Sequence, residues 1–492
     1  MTAERIPDLA VIGAGPAGLS AADIAAEHGL DVVLVDAGSQ TGGQFWRHPD
    51  ERHLAQFRAP ESTGHHHWKR YVDLRSRLAA AVQRGAVRHL SGRHVWRVDV
   101  AADLVHLRTT ASIGTDQVPA TERTVTARRL VLATGAYDRQ LPIPGWTLPG
   151  AMAAGGVQAL LKSNQVAAGR RAVVAGTGPF LMSVAAGLAE AGVEVLAICE
   201  ANSYLRWART PLRAVQEPGK LFEGVEYART FLRHRVPLKM RTVVTAIRGT
   251  GRVQQVEIAA VDGRGRVRPG TERTVEADLV ALGWGFTPQL ELAIGLGLDT
   301  TVDVDDSLVV VADDRQRTSH PLVYAAGEAT GIGGAVQSCA EGELAALAVA
   351  AELGRTVEEA ALRRRRRRID RGRRFAVGMH RAGPVPPEWS SWVTPTTTVC
   401  RCEEVTAGEV AASVCDLGAD DARDVRVTSR PGMGLCQGRV CGFGLAQLVT
   451  AHTGRPATAA ELESIAKRNI GVPITLGEIA DLVPLTAERA DS

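Results

Sequence analysis

Aromatic side chains make up only 4% of the 492 residues, and just five of the 57 basic residues are lysine. So few aromatics leave an aliphatic core and little surface on which nucleic-acid bases could stack. The lysine deficit points to a GC-rich genome rather than to a function. A net charge of +3 is too weak a field to argue for nucleic acid as a partner. No run of about 18 apolar residues occurs, so no membrane-spanning helix is expected. The N-terminus enters a strand pattern at Leu9, which leaves no room for a secretory leader. A cytoplasmic location is the expectation, with membrane association only peripheral and through a partner. Neither glycine-motif half described below carries a C-x-x-C pair, so direct disulfide reduction is not expected. No Ser–His–Asp set or carboxylate pair is legible, and no catalytic residue is assigned. The run His65-His66-His67 lacks a fourth ligand and reads as a loop or helix start.

What is present is glycine, 51 residues of it, with 23 prolines and 45% hydrophobic residues. That composition suits an α/β protein of about three domains at this length. Gly13-Ala-Gly15-Pro16-Ala17-Gly18 fits G-x-G-x-x-G between a strand pattern and an alanine-rich helix pattern. The first glycine makes the tight turn, the second admits a pyrophosphate to the backbone, and the third lets helix and strand pack closely. Asp36 ends the next strand, where a carboxylate binds ribose hydroxyls. Gly176-Thr-Gly178-Pro179-Phe-Leu181 opens a second such unit with leucine in the third glycine position, and Glu200 supplies its ribose acid. Leu181 should push helix and strand slightly apart. That second site reads three ways: NAD, favoured over NADP by the charge of Glu200, another nucleotide, or no ligand at all.

Of seven cysteines, four form the pattern Cys400-x-Cys402 … Cys436-x4-Cys441. Two thiolates for each iron of a [2Fe–2S] cluster is the preferred reading, with glycines 432, 434, 438 and 442 letting N–H groups approach sulfur. A four-thiolate zinc is the rival, although C-x-C is tighter than zinc-knuckle spacing. Cys199, Cys339 and Cys415 have no partners at ligand spacing and read as small hydrophobes. The run Arg363 to Arg368 reads as a solvated helix face, with an anionic partner as the minor alternative.

Thr41-Gly42-Gly43-Gln44-Phe-Trp-Arg47, Ala133-Thr134-Gly135, the segment Leu141 to Met152, Ala326-Gly327-Glu328-Ala-Thr-Gly-Ile-Gly-Gly334 and the cysteine pattern together resemble the FAD/NAD-type subunit of heteromeric amine and amino-acid dehydrogenases. That group includes the hydrogen cyanide synthase B subunit, the opine oxidase A subunit and proline- and sarcosine-oxidising subunits. The C-terminal pattern resembles a bacterioferritin-associated-ferredoxin-type [2Fe–2S] domain. The resemblance covers roughly residues 8 to 450. It implies FAD held by Gly13, Gly15, Pro16, Ala17, Gly18, Asp36, Gly42, Gly43, Gln44, Arg47, Val95, Ala133, Thr134, Gly135, Gly327, Glu328, Gly334 and Ala335. Glu328 stands where the family usually has aspartate. Gly176, Gly178, Pro179 and Glu200 would hold the second nucleotide, and Cys400, Cys402, Cys436 and Cys441 the cluster.

The implied fold is α/β: two Rossmann-like domains, as in glutathione-reductase-like flavoproteins, plus a small α+β [2Fe–2S] domain. The expected division is FAD domain 1–150 and 265–355, second dinucleotide domain 151–264, Arg-rich helical linker 356–394, cysteine domain 395–453 and tail 454–492. The implied partner is a D-amino-acid-oxidase-like flavoprotein that oxidises the C–N bond and passes electrons on, with an additional FMN between subunits in related complexes. A stand-alone NAD(P)H-dependent reductase is the competing enzyme reading, and a non-enzymatic scaffold the third.

Overall fold

The computed structural model describes residues 5–60, 64–112, 123–203, 218–468 and 470–480. Two five-stranded parallel sheets form its frame. In the first, the strands run in the order Val323–Ala325, Arg129–Leu132, Leu9–Ile12, Val32–Asp36, Val87–Ser91. The second runs Leu238–Met240, Glu194–Glu200, Arg171–Gly176, Leu279–Gly283, Ala151–Ala153. Their central strands are continuous Val, Leu, Ile and Ala runs because both faces are covered, one by helices and the other by an antiparallel sheet. Each sheet has a three-stranded antiparallel companion, Arg93–Ala101 to Ala127 for the first and Thr242–Arg248 to Glu276 for the second.

Helix Pro16–Glu27 crosses helix Ala335–Glu352 so closely that a Cβ on Gly342 would lie 2.0 Å from Ala17 O. This crossing aims the N-termini of both helices at one place, the C-terminal edge of the first sheet. Open α/β sheets bind ligands along that edge. The helix Ala335–Glu352 begins directly after Gly334, which has φ +84° at its N-cap.

Leu181 does not spread the second unit. It is fully buried, and Gly283 on the neighbouring strand makes the room: a Cβ there would stand 2.9 Å from Leu181 Cδ2. The small-residue requirement has moved across the sheet.

The Arg-rich stretch is helix Glu359–Ala382, which buries Leu362, Gly372 and Ala376 while Arg365 pairs with Glu343 and Arg366 with Asp314. Arg364, Arg367, Arg368 and Arg371 face solvent. The cysteine-bearing segment folds as hairpin Thr398–Cys400 with Val405–Thr406, followed by helices Ala407–Cys415, Ala422–Ser429, Gly442–Thr453 and Ala459–Ala466. Its apolar side chains Val399, Val410 and Leu445 form one core with Val173, Val280 and Trp284 of the second sheet. Among the described residues no helix is long and apolar enough to cross a membrane.

Candidate functional site

The first glycine turn is built by steric exclusion. Gly13 has φ +103° and a Cβ on it would meet Ala133 O at 2.3 Å, while one on Gly18 would meet Gly13 O at 1.7 Å. Only glycine fits where strand, turn and helix backbones approach this closely. On the other side the turn is open. A Cβ on Gly15 would meet nothing nearer than Gly43 Cα at 3.9 Å, and those on Gly135 and Gly334 would meet nothing within 4 Å. Pro16 opens helix Pro16–Glu27 and Ala17 packs behind it. Gly42 N–H donates to Ala14 O at 2.9 Å, which lays the 42–44 loop across the turn.

Asp36 ends its strand with the carboxylate turned back onto the turn, accepting from Ala14 N–H at 2.5 Å and Gly38 N–H at 2.6 Å. Burial raises its pKa, and those two N–H groups and Arg47 oppose the rise. Arg47 is half-buried and held by Gln44, whose Oε1 accepts from Nε at 3.0 Å and Nη2 at 2.7 Å. A positive fork beside two helix N-termini suits a pyrophosphate.

Against Ala17, whose Cβ would stand 3.0 Å from one on Gly327, Gly327 has φ +80° and its N–H donates to Glu341 Oε2 at 2.7 Å. Glu341 was not legible as a site residue, since nothing in an alanine-rich helix marks one buried glutamate. It also accepts from Gln337 Nε2 at 2.8 Å and Thr330 Oγ1 at 3.1 Å. Glu328 keeps partial exposure, and its carboxyl is pushed up to about 7 by burial and by neighbouring Glu341. Three buried polar atoms bordering the 331–334 loop, Asp303 Oδ2, Gln337 Oε1 and Arg373 Nη1, lack hydrogen-bond partners. Val95 has its side chain buried in a cluster with Ala10, Val33 and Leu90. Thr134 Oγ1 donates to Gln289 O at 2.7 Å and so ties the 133–135 strand end to the segment leading into the Glu291–Gly295 helix. An open cradle with a ribose-side acid, a cationic fork and unpaired polar atoms fits FAD.

The second glycine turn is furnished differently. Both oxygens of Glu200, 1% exposed, are taken: Oε2 by Gly178 N–H at 2.8 Å, Oε1 by Asn202 N–H at 2.9 Å and Thr177 Oγ1 at 3.2 Å. Burial raises its pKa against these bonds. The segment leaving the Arg-rich helix lies on this turn. The single Thr177 hydroxyl proton is shared between Glu200 and Gly383 O, 3.0 Å away, and Asn202 Nδ2 donates to Pro384 O at 2.8 Å. Pro179 caps helix Phe180–Glu190.

The four motif cysteines come together in pairs. The Cys441 thiol donates to Cys400, which with Gly432 N–H (3.4 Å) holds the Cys400 thiol down to about 5 and pushes Cys441 up. Cys436 hydrogen-bonds to Cys402 through both its backbone and its side chain. Among the described residues, no three His, Cys, Asp or Glu side chains are grouped as they would be around a single metal ion. Two thiol pairs, with Gly432 N–H approaching Cys400, are the donor chemistry that two irons rather than one would need. A Cβ on Gly434 would fall 2.3 Å from Cys402 Cβ, so the loop closes over the cysteines only as glycine. The histidine run does start a helix, with His67 at φ 56° as N-cap of Trp68–Gln83.

Comparison with known proteins follows the same outline. The model of the pyridine nucleotide-disulphide oxidoreductase family matches residues 7–352. Hydrogen cyanide synthase subunit HcnB of Pseudomonas aeruginosa is 31% identical over 434 residues, covering 88% of this chain and 90% of that protein. The opine oxidase A subunit of Rhizobium meliloti is 32% identical over 495 residues, covering 97% and 99%. Among solved structures, L-proline dehydrogenase from P. horikoshii superposes with a TM-score of 0.66 at 18% identity, over 96% of this chain and 79% of that one, a likeness of fold.

Proposed function

The chain belongs to the pyridine nucleotide-disulphide oxidoreductase family and is an FAD-dependent oxidoreductase; from that premise we propose that it is the electron-transferring subunit of a heteromeric amine or amino-acid dehydrogenase. In this reading a D-amino-acid-oxidase-like flavoprotein subunit oxidises the substrate, and this chain carries FAD and a [2Fe–2S] cluster that pass electrons to an acceptor. The observation that carries it is the cysteine segment sharing one core with the second sheet while its loop abuts the strand leaving the flavin cradle. A detached cysteine domain would argue for storage or structure, whereas one built into the flavoprotein suits exchange between centres.

FAD, when bound, accepts an electron pair and releases it singly, and a [2Fe–2S] cluster takes one electron at a time. This chain's residues prepare the sites. Asp36 would orient the ribose hydroxyls, Arg47 with Gln44 would neutralise the pyrophosphate, and the N-terminus of helix Ala335–Glu352 would face the flavin end. Burial and the neighbouring Glu341 push Glu328 up to about 7, and burial also raises Glu341, so this part of the cradle disfavours a second charge. Cys400 with Cys441 would serve one iron, and Cys402 with Cys436 the other. C-x-C spacing favours this over zinc.

The occupation of the second glycine turn by 383–384 argues against a stand-alone nicotinamide-driven reductase. A dinucleotide there would have to displace two side-chain hydrogen bonds and compete with the chain's own N–H groups for Glu200. Anaerobic mixing with NADH and then NADPH, followed at the flavin absorbance, tests the proposal. The flavin should stay oxidised with both and bleach with dithionite. Rapid bleaching by either nucleotide would make the protein a nicotinamide reductase instead.

A further inference from the structure

We infer that Arg439 is the residue that positions the cysteine loop for electron exchange with the flavin cradle, an assignment that rests on reading the four cysteines as cluster ligands. Arg439 lies between Cys436 and Cys441, in a stretch of turns with Gly438 at φ +81° and Gln437 at φ 50°. Such a loop has no ladder or helix of its own to hold it, so its place is set by side-chain anchors.

Arg439 reaches away from the cysteines and into the flavin domain. Its Nε donates to Tyr137 Oη at 2.9 Å and lies 2.7 Å from Glu291 Oε1, and Tyr137 Oη itself donates to Glu291 at 2.8 Å. Nη1 turns back to Cys436 O at 3.3 Å, and Nη2 bonds Gly471 O. The Arg439 and Glu291 side chains are 15% and 6% exposed, so this ion pair is poorly screened. Tyr137 stands two residues beyond Gly135, on the strand Ala136–Asp138 that pairs with Phe286–Pro288, and Glu291 opens the helix just after that partner strand. One side chain of the cysteine loop thereby grips both strands leaving the cradle.

Around it, Arg468 bonds Gln437 O from the C-terminal side, and Arg139 lies 3.9 Å over the Phe443 ring while pairing with Asp305. These flank the loop, while Arg439 makes its hydrogen bond to the Tyr137 strand. Electronic coupling between two centres falls off exponentially with their separation, so a loop left to drift loses rate faster than stability. Each transfer moves one electron and no atom. The flavin side is oxidised by one, the cluster reduced by one, and the electrons originate in the amine oxidised by the partner subunit. Arg439 carries no proton in this exchange, since its guanidinium stays charged.

The test uses the full-length holoprotein and the variants Arg439→Gln, Arg439→Lys and Tyr137→Phe. FAD, iron and sulfide contents are measured, then the cluster midpoint potential by EPR titration, then the rate at which electrons photochemically placed on the flavin reach the cluster. Arg439→Gln should keep wild-type FAD and iron, transfer at least tenfold more slowly and shift the cluster to lower potential through loss of a fixed positive charge. Arg439→Lys should retain the potential and recover part of the rate. A wild-type rate in Arg439→Gln with intact cofactors overturns the inference alone. If Arg439→Gln loses its iron, wild-type rates in both Arg439→Lys and Tyr137→Phe overturn it. A wild-type protein without iron overturns both the inference and the reading beneath it.

Discussion

Gly18 and Glu328 both border the flavin cradle, and each has a measurable consequence. A methyl at position 18 would be driven to 1.7 Å from Gly13 O, so Gly18→Ala must lift helix Pro16–Glu27 off its strand. Overpacking of this kind costs about 1–3 kcal/mol. The variant is expected to unfold at lower temperature and to purify without flavin, read by thermal melting and absorbance. Glu328 works through charge. Its folded pKa of about 7 lies above the ordinary 4.5, so the protonated form is the one the fold prefers. Its contribution to the stability of the flavin-free protein is fully present below about 4.5 and is lost as pH rises through about 7. Glu328→Gln should flatten the melting temperature across that window, and an unchanged pH profile would show that Glu328 does not titrate there.

Among elements, the Arg-rich helix Glu359–Ala382 is the one whose sequence is least like its role. Its charge run marks a solvated face, yet the interior face does the packing through Leu362, 3% exposed, with Arg365 paired to Glu343. Leu362→Ala is expected to destabilise by about 2–5 kcal/mol, while Arg364→Ala on the open face should change stability by less than about 0.5 kcal/mol; chemical denaturation compares the two. Elements of this kind were readable where local chemistry decides. The strand–glycine–helix start at Leu9 to Gly18 and the second at Arg171 to Gly178 fold as their patterns require. Between Thr124 and Thr134 a strand-like pattern is interrupted only by Arg128 and Arg129, and the chain bends there. Thr124–Ala127 joins an antiparallel sheet and Arg129–Leu132 the parallel one. No proline or glycine announces that break.

For the molecule as a whole, the arrangement depends on contacts between distant segments, and those were silent in the sequence. The Cys400, Cys402, Cys436 and Cys441 pattern was visible from spacing. The 383–384 segment on the second glycine turn, and Tyr137, Glu291 and Arg439 meeting at one buried point, were not. Each sits in an unremarkable local context and acquires meaning only through tertiary contact. The same long-range packing joins the cysteine segment to the second sheet, and the proposed function stands on that segment being a redox centre beside a flavin. The most direct measurement is FAD, iron and acid-labile sulfide per chain in anaerobically purified protein, with an EPR spectrum after dithionite reduction. We expect one FAD, two irons and two sulfides, with the signal of a reduced [2Fe–2S] cluster that disappears in Cys436→Ser while FAD remains. FAD with no iron, or zinc in its place, would contradict the proposed function.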